Sequence, residues 1–388
     1  MKTGLTTTIF SACLLAACGG VAAPAASGPS PAAPATSGGQ QALDKLVAQA
    51  KKEGALNTNI RPGLGPVIPD LTSAFNKRFG LNLDITLDAL TTEGELVAKN
   101  RSAMQAGAPP SLDGMEATDY QDLSLIQAGL GVKIDGWQEL LTEINPTIKS
   151  ARAKPEEASA GPFAGYSFVW SSVTKSLLYN PKLLAEQDLP KTRADLANAK
   201  YKGKLAMVPA AEDFQFGVLF YPKDEWLQTI DGIGKNVATV IYFADAVDRT
   251  VLGQVAASIN NTYYYFQAKD KNPDVPLAVH WFQDYTPLSN VSSMVFKGSQ
   301  HPAAATLWAM WMSTPEAEAI FQKAVPYANL AIGHTNIDER ERSAIQKSGT
   351  KVVTYFDSPK NLETLQWYAS KEGEAYAAQI LKAQTQRK

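Results

Sequence analysis

Two hydrophobic periods alternate along this chain, and the alternation restricts the folds open to it. Leu81, Leu83, Ile85 and Leu87 interleave with Asn82, Asp84, Thr86 and Asp88, the period-two pattern of a half-buried strand. Before them, Val67, Leu71, Phe75 and Phe79 recur at helical spacing up to the stop signal Gly80. After them, Leu96, Val97, Ala103 and Met104 mark a helix over about 93–106. Upstream, Leu43, Leu46, Val47 and Ala50 predict a helix ended by Gly54. A polar strand follows at 55–60, then a Pro/Gly loop from Arg61 to Gly65. Strand and helix in alternation describe a mainly parallel sheet covered by helices, in which ligands sit beyond the carboxyl ends of the strands.

The same signals continue further on. Thr314, Pro315 and Glu316 make a cap, a first-turn proline and a first-turn acid ahead of Ile320 and Phe321. Ala304, Leu307, Trp308 and Trp311 predict the preceding helix, with both tryptophans as core anchors. Leu362, Leu365, Ile380 and Leu381 predict a long helical tail. At 388 residues the chain exceeds one average core, so two packed domains are expected. Its net charge of -2 and lack of a long Lys/Arg run provide no field for phosphates, and nucleic acid is not an expected partner.

The first residues read as an export signal. Lys2 precedes an apolar stretch from Leu5 to Ala17, too short to span a bilayer as a permanent helix. Residues 1–17 are read as a signal peptide. The run Leu15-Ala16-Ala17-Cys18 resembles the lipobox of bacterial lipoproteins, which implies lipid attachment at Cys18 after cleavage. The other cysteine, Cys13, lies in the segment that would be removed. Residues 18–41 are rich in Gly, Ala, Pro, Ser and Thr and are expected to form a flexible tether.

Several segments in one order resemble the bacterial extracellular solute-binding proteins of ABC importers, in particular the ferric-iron-binding branch. They are Leu46-Val47-Ala48 through Lys51-Lys52-Glu53-Gly54, then Tyr179-Asn180-Pro181, Leu189-Pro190-Lys191-Thr192 and Ala194-Asp195-Leu196. Tyr201 through Met207, Asn260 to Phe266, Lys297-Gly298, His301 to Ala304 and Ser313 to Glu316 extend the match. The resemblance covers nearly everything from about residue 42. It implies an α/β, two-lobed periplasmic-binding-protein fold with a ligand cleft between the lobes, closing by a hinge motion. It places residues 42–145 and 290–345 in lobe 1, and 146–289 and 346–388 in lobe 2. The implied role is capture of a small solute and its delivery to a membrane permease, with no cofactor.

Tyr263, Tyr264 and Tyr265 are the foremost candidates for the site, because the ferric branch carries adjacent tyrosines in this region and phenolate suits a small, highly charged cation. A plain β-strand with alternating tyrosines would explain them equally in kind. Some ferric members add a histidine after the first strand, whereas Asn59, Ile60 and Arg61 stand here, which counts against a histidine-containing metal site. Glu93, beside Thr92 and Glu95, opens the third helix, where a family acid can occur or where the helix dipole alone would favour one. Arg61, in a loop bordering the cleft, and Arg249, expected at or just before a helix start, could clamp a carboxylate or phosphate. Asp213 and Phe216 in the loop after the Met207 strand, Trp170, and the turn from Thr118 to Tyr120 complete the candidate lining.

These residues favour a small organic acid or other anion as the solute, with ferric iron through the tyrosines as the alternative. A ligand-sensing receptor and an exported enzyme remain further alternatives. The enzyme reading finds no Gly-x-Ser-x-Gly elbow, phosphate loop, His-Glu-x-x-His or Cys-x-x-Cys motif to support it. The expected setting is the outer face of the cytoplasmic membrane or the periplasm, as a lipid-anchored monomer. Cys18→Ala is expected to release the protein from membranes or block its maturation; a variant that fractionates and matures like the parent would remove the lipobox reading.

Overall fold

The computed structural model describes residues 38–89, 93–210 and 212–385. The leader and Cys18 lie outside the described residues. Helix α1 spans Gly38–Glu53, so the expected tether boundary at residue 41 is too late by one turn. The reason lies in a distant contact: a Cβ on Gly39 would come 2.9 Å from the Glu139 carbonyl oxygen, so a residue without a side chain allows α1 to pack onto the helix Trp137–Ile144. Gln40 adds a bond to Asp44 one turn on.

Strand β1 (Ala55–Asn59) pairs in parallel with β2 (Asp84–Asp88) across helix α2 (Ile68–Phe79). Gly80 closes α2 in the left-handed conformation at φ 63°, with Asp70 in its first turn and Lys77 and Arg78 in its last. Helix α3 (Glu93–Gln105) leads to β3 (Gly114–Thr118) and helix α4 (Asp119–Gln127). The polar strand Asn57-Thr58-Asn59 is explained by β3 beside it. The Asn57 N–H donates to the Asp113 carboxylate while the Asn57 carbonyl accepts from the Asp113 N–H, and Thr58 Oγ1 donates to the Gly114 carbonyl. The Asn59 side chain donates to the Glu116 carbonyl at 3.3 Å and accepts from its N–H at 2.8 Å, standing in for a ladder rung.

β4 (Ser167–Tyr179) is buried at every position. It pairs antiparallel with β9 (Thr286–Val295) through Thr174, then with β7 (Ala257–Asn261) from Lys175 onward. β5 (Leu205–Met207) and β6 (Val237–Val240) extend the sheet in parallel beyond β7. β3 and β10 (Val352–Val353) join at β9, and β8 (Ala278–His280) joins at β4.

Two main cores flank this arrangement. One gathers Leu56, Phe75, Leu141, Trp170, Trp308 and Trp311; the other gathers Leu177, Trp226, Ile230, Tyr368 and Ile380. Phe75 meets Trp308 and Trp311 edge-on, as core anchors do. The helix Pro302–Trp311 is capped from a distance, because the Glu53 carboxylate accepts from the N–H groups of Ala303 and Ala304. Thr314 caps the next helix by accepting from Ala317 N–H, as its sequence predicts. The expected long tail is two helices, Pro359–Tyr368 and Lys371–Thr385. Ser370 interrupts it by accepting from Gly373 N–H, and a Cβ on Gly373 would lie 2.1 Å from the Trp367 carbonyl. No helix among the described residues is long and apolar enough to cross a membrane.

Asn59→Ala orphans the buried Glu116 N–H and carbonyl together. The expected cost is about 1–3 kcal/mol for each unsatisfied group, read as a lower urea midpoint with an unchanged denaturant slope. A midpoint within error of the parent would show that the Asn59 rung carries no weight.

Candidate functional site

The chain direction of β1, β3 and β7 brings their carboxyl ends together, and the residues that follow those ends converge. Arg61 leaves β1 with its side chain only 18% exposed. Its NH2 group lies 3.9 Å from Glu93 at the start of α3, and its Nε 3.9 Å from Glu116 within β3. Both separations exceed hydrogen-bond range, and the buried Arg61 Nε has no hydrogen-bond partner. Burial opposes the charge on Arg61, but the facing Glu116 and Glu93 outweigh it and hold the guanidinium firmly protonated. Glu93 also accepts from the Thr118 N–H at 2.5 Å, and Thr118 caps α4 in partnership with Gln121.

The tyrosines complete the cluster from the other side. The strand ends at Asn261, and the three tyrosines open the helix Tyr263–Lys271. A helix turns about 100° per residue, which splits the run between faces. The Tyr263 and Tyr264 rings are tilted by 35° with their centres 4.4 Å apart, and Tyr263 meets Tyr327 edge-on at 4.7 Å. Arg61 acts electrostatically on all three of these rings. Burial raises the phenols of Tyr263 and Tyr264, and pushes Tyr327 up to about 12 despite the opposing pull of Arg61. They are therefore neutral hydrogen-bond donors near neutral pH. Asn261 Nδ2 donates to the Tyr263 hydroxyl at 3.3 Å.

The structure corrects several sequence expectations. Tyr265 turns away from the cluster and packs with Phe266, Val275 and Leu277. Trp170 is 1% exposed and sits in the first core, edge-on to Phe321 and Tyr327, so it backs the site without lining it. Phe216 is stacked on Tyr355 in the second core. Arg249 lies in the last turn of the helix Phe243–Val251, not at its start, where a cation suits the negative end of the helix dipole. Six residues separate it from Phe243, about 9 Å along the axis. Thr92 and the Asp213 side chain lie outside the described residues. Arg61, Glu93, Thr118, Tyr263 and Tyr264 are brought together.

Sequence reasoning missed Glu116 and Tyr327. A carboxylate inside the apolar run Met115-Glu116-Ala117 was an available signal, since a charged residue in a buried strand demands a partner. Tyr327 carries no local signal. Below Glu116 lie Asp119, which accepts from Asn290 N–H at 3.0 Å, and Asp122, buried near Ser167. Each histidine is placed elsewhere: His280 on the Pro190 carbonyl, His301 on Asp113 and His334 on Glu339. Among the described residues no three His, Cys, Asp or Glu side chains form a metal-ligand group.

The sequence model for bacterial extracellular solute-binding proteins matches residues 70–331, and the chain belongs to that family. No curated protein matches it. Among solved structures, iron-bound HitA from Pseudomonas aeruginosa superposes with TM-score 0.62 at 19% identity, over 84% of this chain and 99% of its own. Apo ferric ion-binding protein A from Pasteurella haemolytica gives 0.63 at 18%, over 86% and 98%. An ABC transporter substrate-binding protein from Bradyrhizobium japonicum gives 0.61 at 16%, over 85% and 99%. The fold is the two-lobed α/β fold of periplasmic binding proteins.

Burial raises Glu116 to about 8 and both Asp119 and Glu341 to about 7. The folded protein thus holds these protons to higher pH than the unfolded chain, whose carboxyls titrate near 4, and stability falls as pH rises from about 5 to 8. The melting temperature of the ligand-free protein is expected to drop by several degrees across that window, and Glu116→Gln to reduce the slope. A flat profile, or an unchanged slope in the variant, would contradict these proton affinities.

Proposed function

We propose that this chain is the substrate-binding component of an ABC importer and that its solute is a small molecule bearing an anionic oxygen group. The observation that carries the choice of solute is the Arg61 guanidinium, buried among protonated phenols with its Nε unpartnered. That guanidinium attracts an anionic oxygen group, and the neutral phenols of Tyr263, Tyr264 and Tyr327 stand beside it. The solute is bound and released without chemical change. Lobe 1 is assigned residues 42–145 and 290–345, and lobe 2 the remainder of the folded part. The two cores follow that division only in part, since Phe168, Trp170 and Val173 join the first core and Leu123 the second. Closure follows from contacts that the solute makes to both lobes. A lipid on Cys18 holds the monomer at the outer face of the cytoplasmic membrane, within reach of its permease.

Iron is the second reading, favoured by the three clustered tyrosine hydroxyls and by structural neighbours that bind ferric ion. It requires those phenols to lose protons that burial holds in place, beside a guanidinium that repels the metal. The test is a melting-temperature series on ligand-free protein with small carboxylates, phosphate, putrescine and ferric citrate. A ligand at a hundred times its Kd stabilises the native state by about 2.7 kcal/mol. Carboxylates or phosphate are expected to stabilise the parent, and Arg61→Gln to lose that stabilisation. Stabilisation by ferric citrate beyond citrate alone, with a visible band absent in Tyr264→Phe, would establish iron instead.

A further inference from the structure

The two acids beside Arg61 are held in different ways. Glu93 accepts from the Thr118 N–H, a bond that favours its carboxylate whether or not Arg61 is engaged elsewhere. Glu116 has no such support. Its Oε1 stops 3.9 Å from Arg61 Nε, beyond hydrogen-bond range, and its Oε2 is buried without a hydrogen-bond partner. The guanidinium is the one influence that favours charge on Glu116, while burial and the neighbouring Glu93 both oppose it.

The remaining surroundings of Glu116 supply no second cation. Asp122 of α4 lies within electrostatic reach of Glu116, Glu93 and Asp119, and Tyr327 feels Glu116 as a neutral phenol. β1 and β9, which flank β3, and the helix Pro302–Trp311 packed against it carry no titratable side chain. An anionic solute and the Glu116 carboxylate therefore compete for one guanidinium. With Glu116 ionised, Arg61 already faces two carboxylates, and a solute brings a third negative charge to a single positive one. With Glu116 protonated, the solute takes the place that the carboxylate would have held. An opposite charge within about 4–6 Å lowers carboxyl titration by about 1–3 pH units, so a solute that neutralises Arg61 raises the proton affinity of Glu116. The effect is reciprocal: the proton raises the affinity for the solute by the same factor. In the ligand-free protein Glu116 already titrates at about 8, which puts the exchange in an accessible range.

We infer that solute capture is coupled to proton uptake, with Glu116 as the group that takes the proton when an anion engages Arg61. This rests on the anion reading of the Arg61 site and adds its control by pH. Above the titration of Glu116, each anion bound brings one proton from solvent onto a Glu116 oxygen; below it, none moves. Affinity is thus fullest at low pH and is lost as pH rises through that titration, by about tenfold per pH unit at the steepest. The test is calorimetric titration of ligand-free protein with butyrate, glutarate and sulfate from about pH 7 to 9.5, where carboxylates, which titrate near 4, keep a constant charge. Parallel runs in Tris and triethanolamine, which differ in ionisation heat, count the protons. At least one anion is expected to bind with uptake of about half to one proton near pH 8.5 and to weaken by about three- to tenfold over one pH unit there. Glu116→Gln is expected to lose both the uptake and the pH dependence. If that variant fails to fold, the proton count and pH profile of the parent decide. A parent whose affinity stays level with no uptake, or uptake that persists in folded Glu116→Gln, overturns the inference and leaves the anion reading intact. No binding of any of the three anions, or putrescine binding that Glu116→Gln abolishes, overturns the inference and the anion reading together.

Discussion

The rest of this structure depends on one strand that belongs to two cores. β4 contributes Phe168, Trp170 and Val173 to the first core and Leu177 and Tyr179 to the second, and it exchanges β9 for β7 as its partner on the way. A buried strand must have every backbone group paired, so each core fixes the register of the other through this ladder. Between the two apolar stretches lie Ser171, Ser172, Thr174, Lys175 and Ser176, all buried. Their hydroxyls are satisfied from outside the strand: Ser172 donates to Asn290, Thr174 to Glu341, and Ser176 accepts from Thr262. A polar middle of this kind gains little from hydrophobic burial and much from specific geometry, which suits the place where two bodies meet a ligand.

Local chemistry made much of the architecture readable from the sequence. The Gly80 stop and the Thr314 cap each encode their element within a few residues and are found where the pattern puts them, whereas the period-two run at 81–87 gives a strand only from Asp84 to Asp88. Features set by distant packing were not readable in this way. Gly39 looks like part of a low-complexity linker until Glu139 is seen against it, and the tail looks continuous until Gly373 is seen against Trp367. The site shows the same division. Arg61 and Tyr263-Tyr264 were visible as chemistry at a strand end, but helical rotation, which a strand pattern does not contain, separates Tyr265 from its neighbours. Glu116 and Tyr327 come to Arg61 from the far parts of the chain, and only the fold brings them there.

The charge arrangement around Arg61 also explains why family membership leaves the ligand open. One scaffold supplies strand ends, helix starts and backbone donors to any solute, and the side chains set on them decide the chemistry. Here the guanidinium faces two carboxylates that stop short of hydrogen-bonding distance, and burial keeps Glu116 and the phenols protonated toward neutral pH. The site is thus close to electrically balanced. Such a site avoids the cost of a naked buried charge and still discriminates by the number and direction of its hydrogen bonds.

The aromatic chain beside Arg61 does not end at the site. Tyr263 meets Tyr327, and Tyr327 meets Trp170, whose ring centre is 6.0 Å away inside the first core. Light absorbed by either tyrosine therefore has a short path to an indole that solvent does not reach. A solute that reorients Tyr263 or Tyr327 changes both the transfer to Trp170 and the quenching of its emission, so the protein carries its own optical reporter of occupancy.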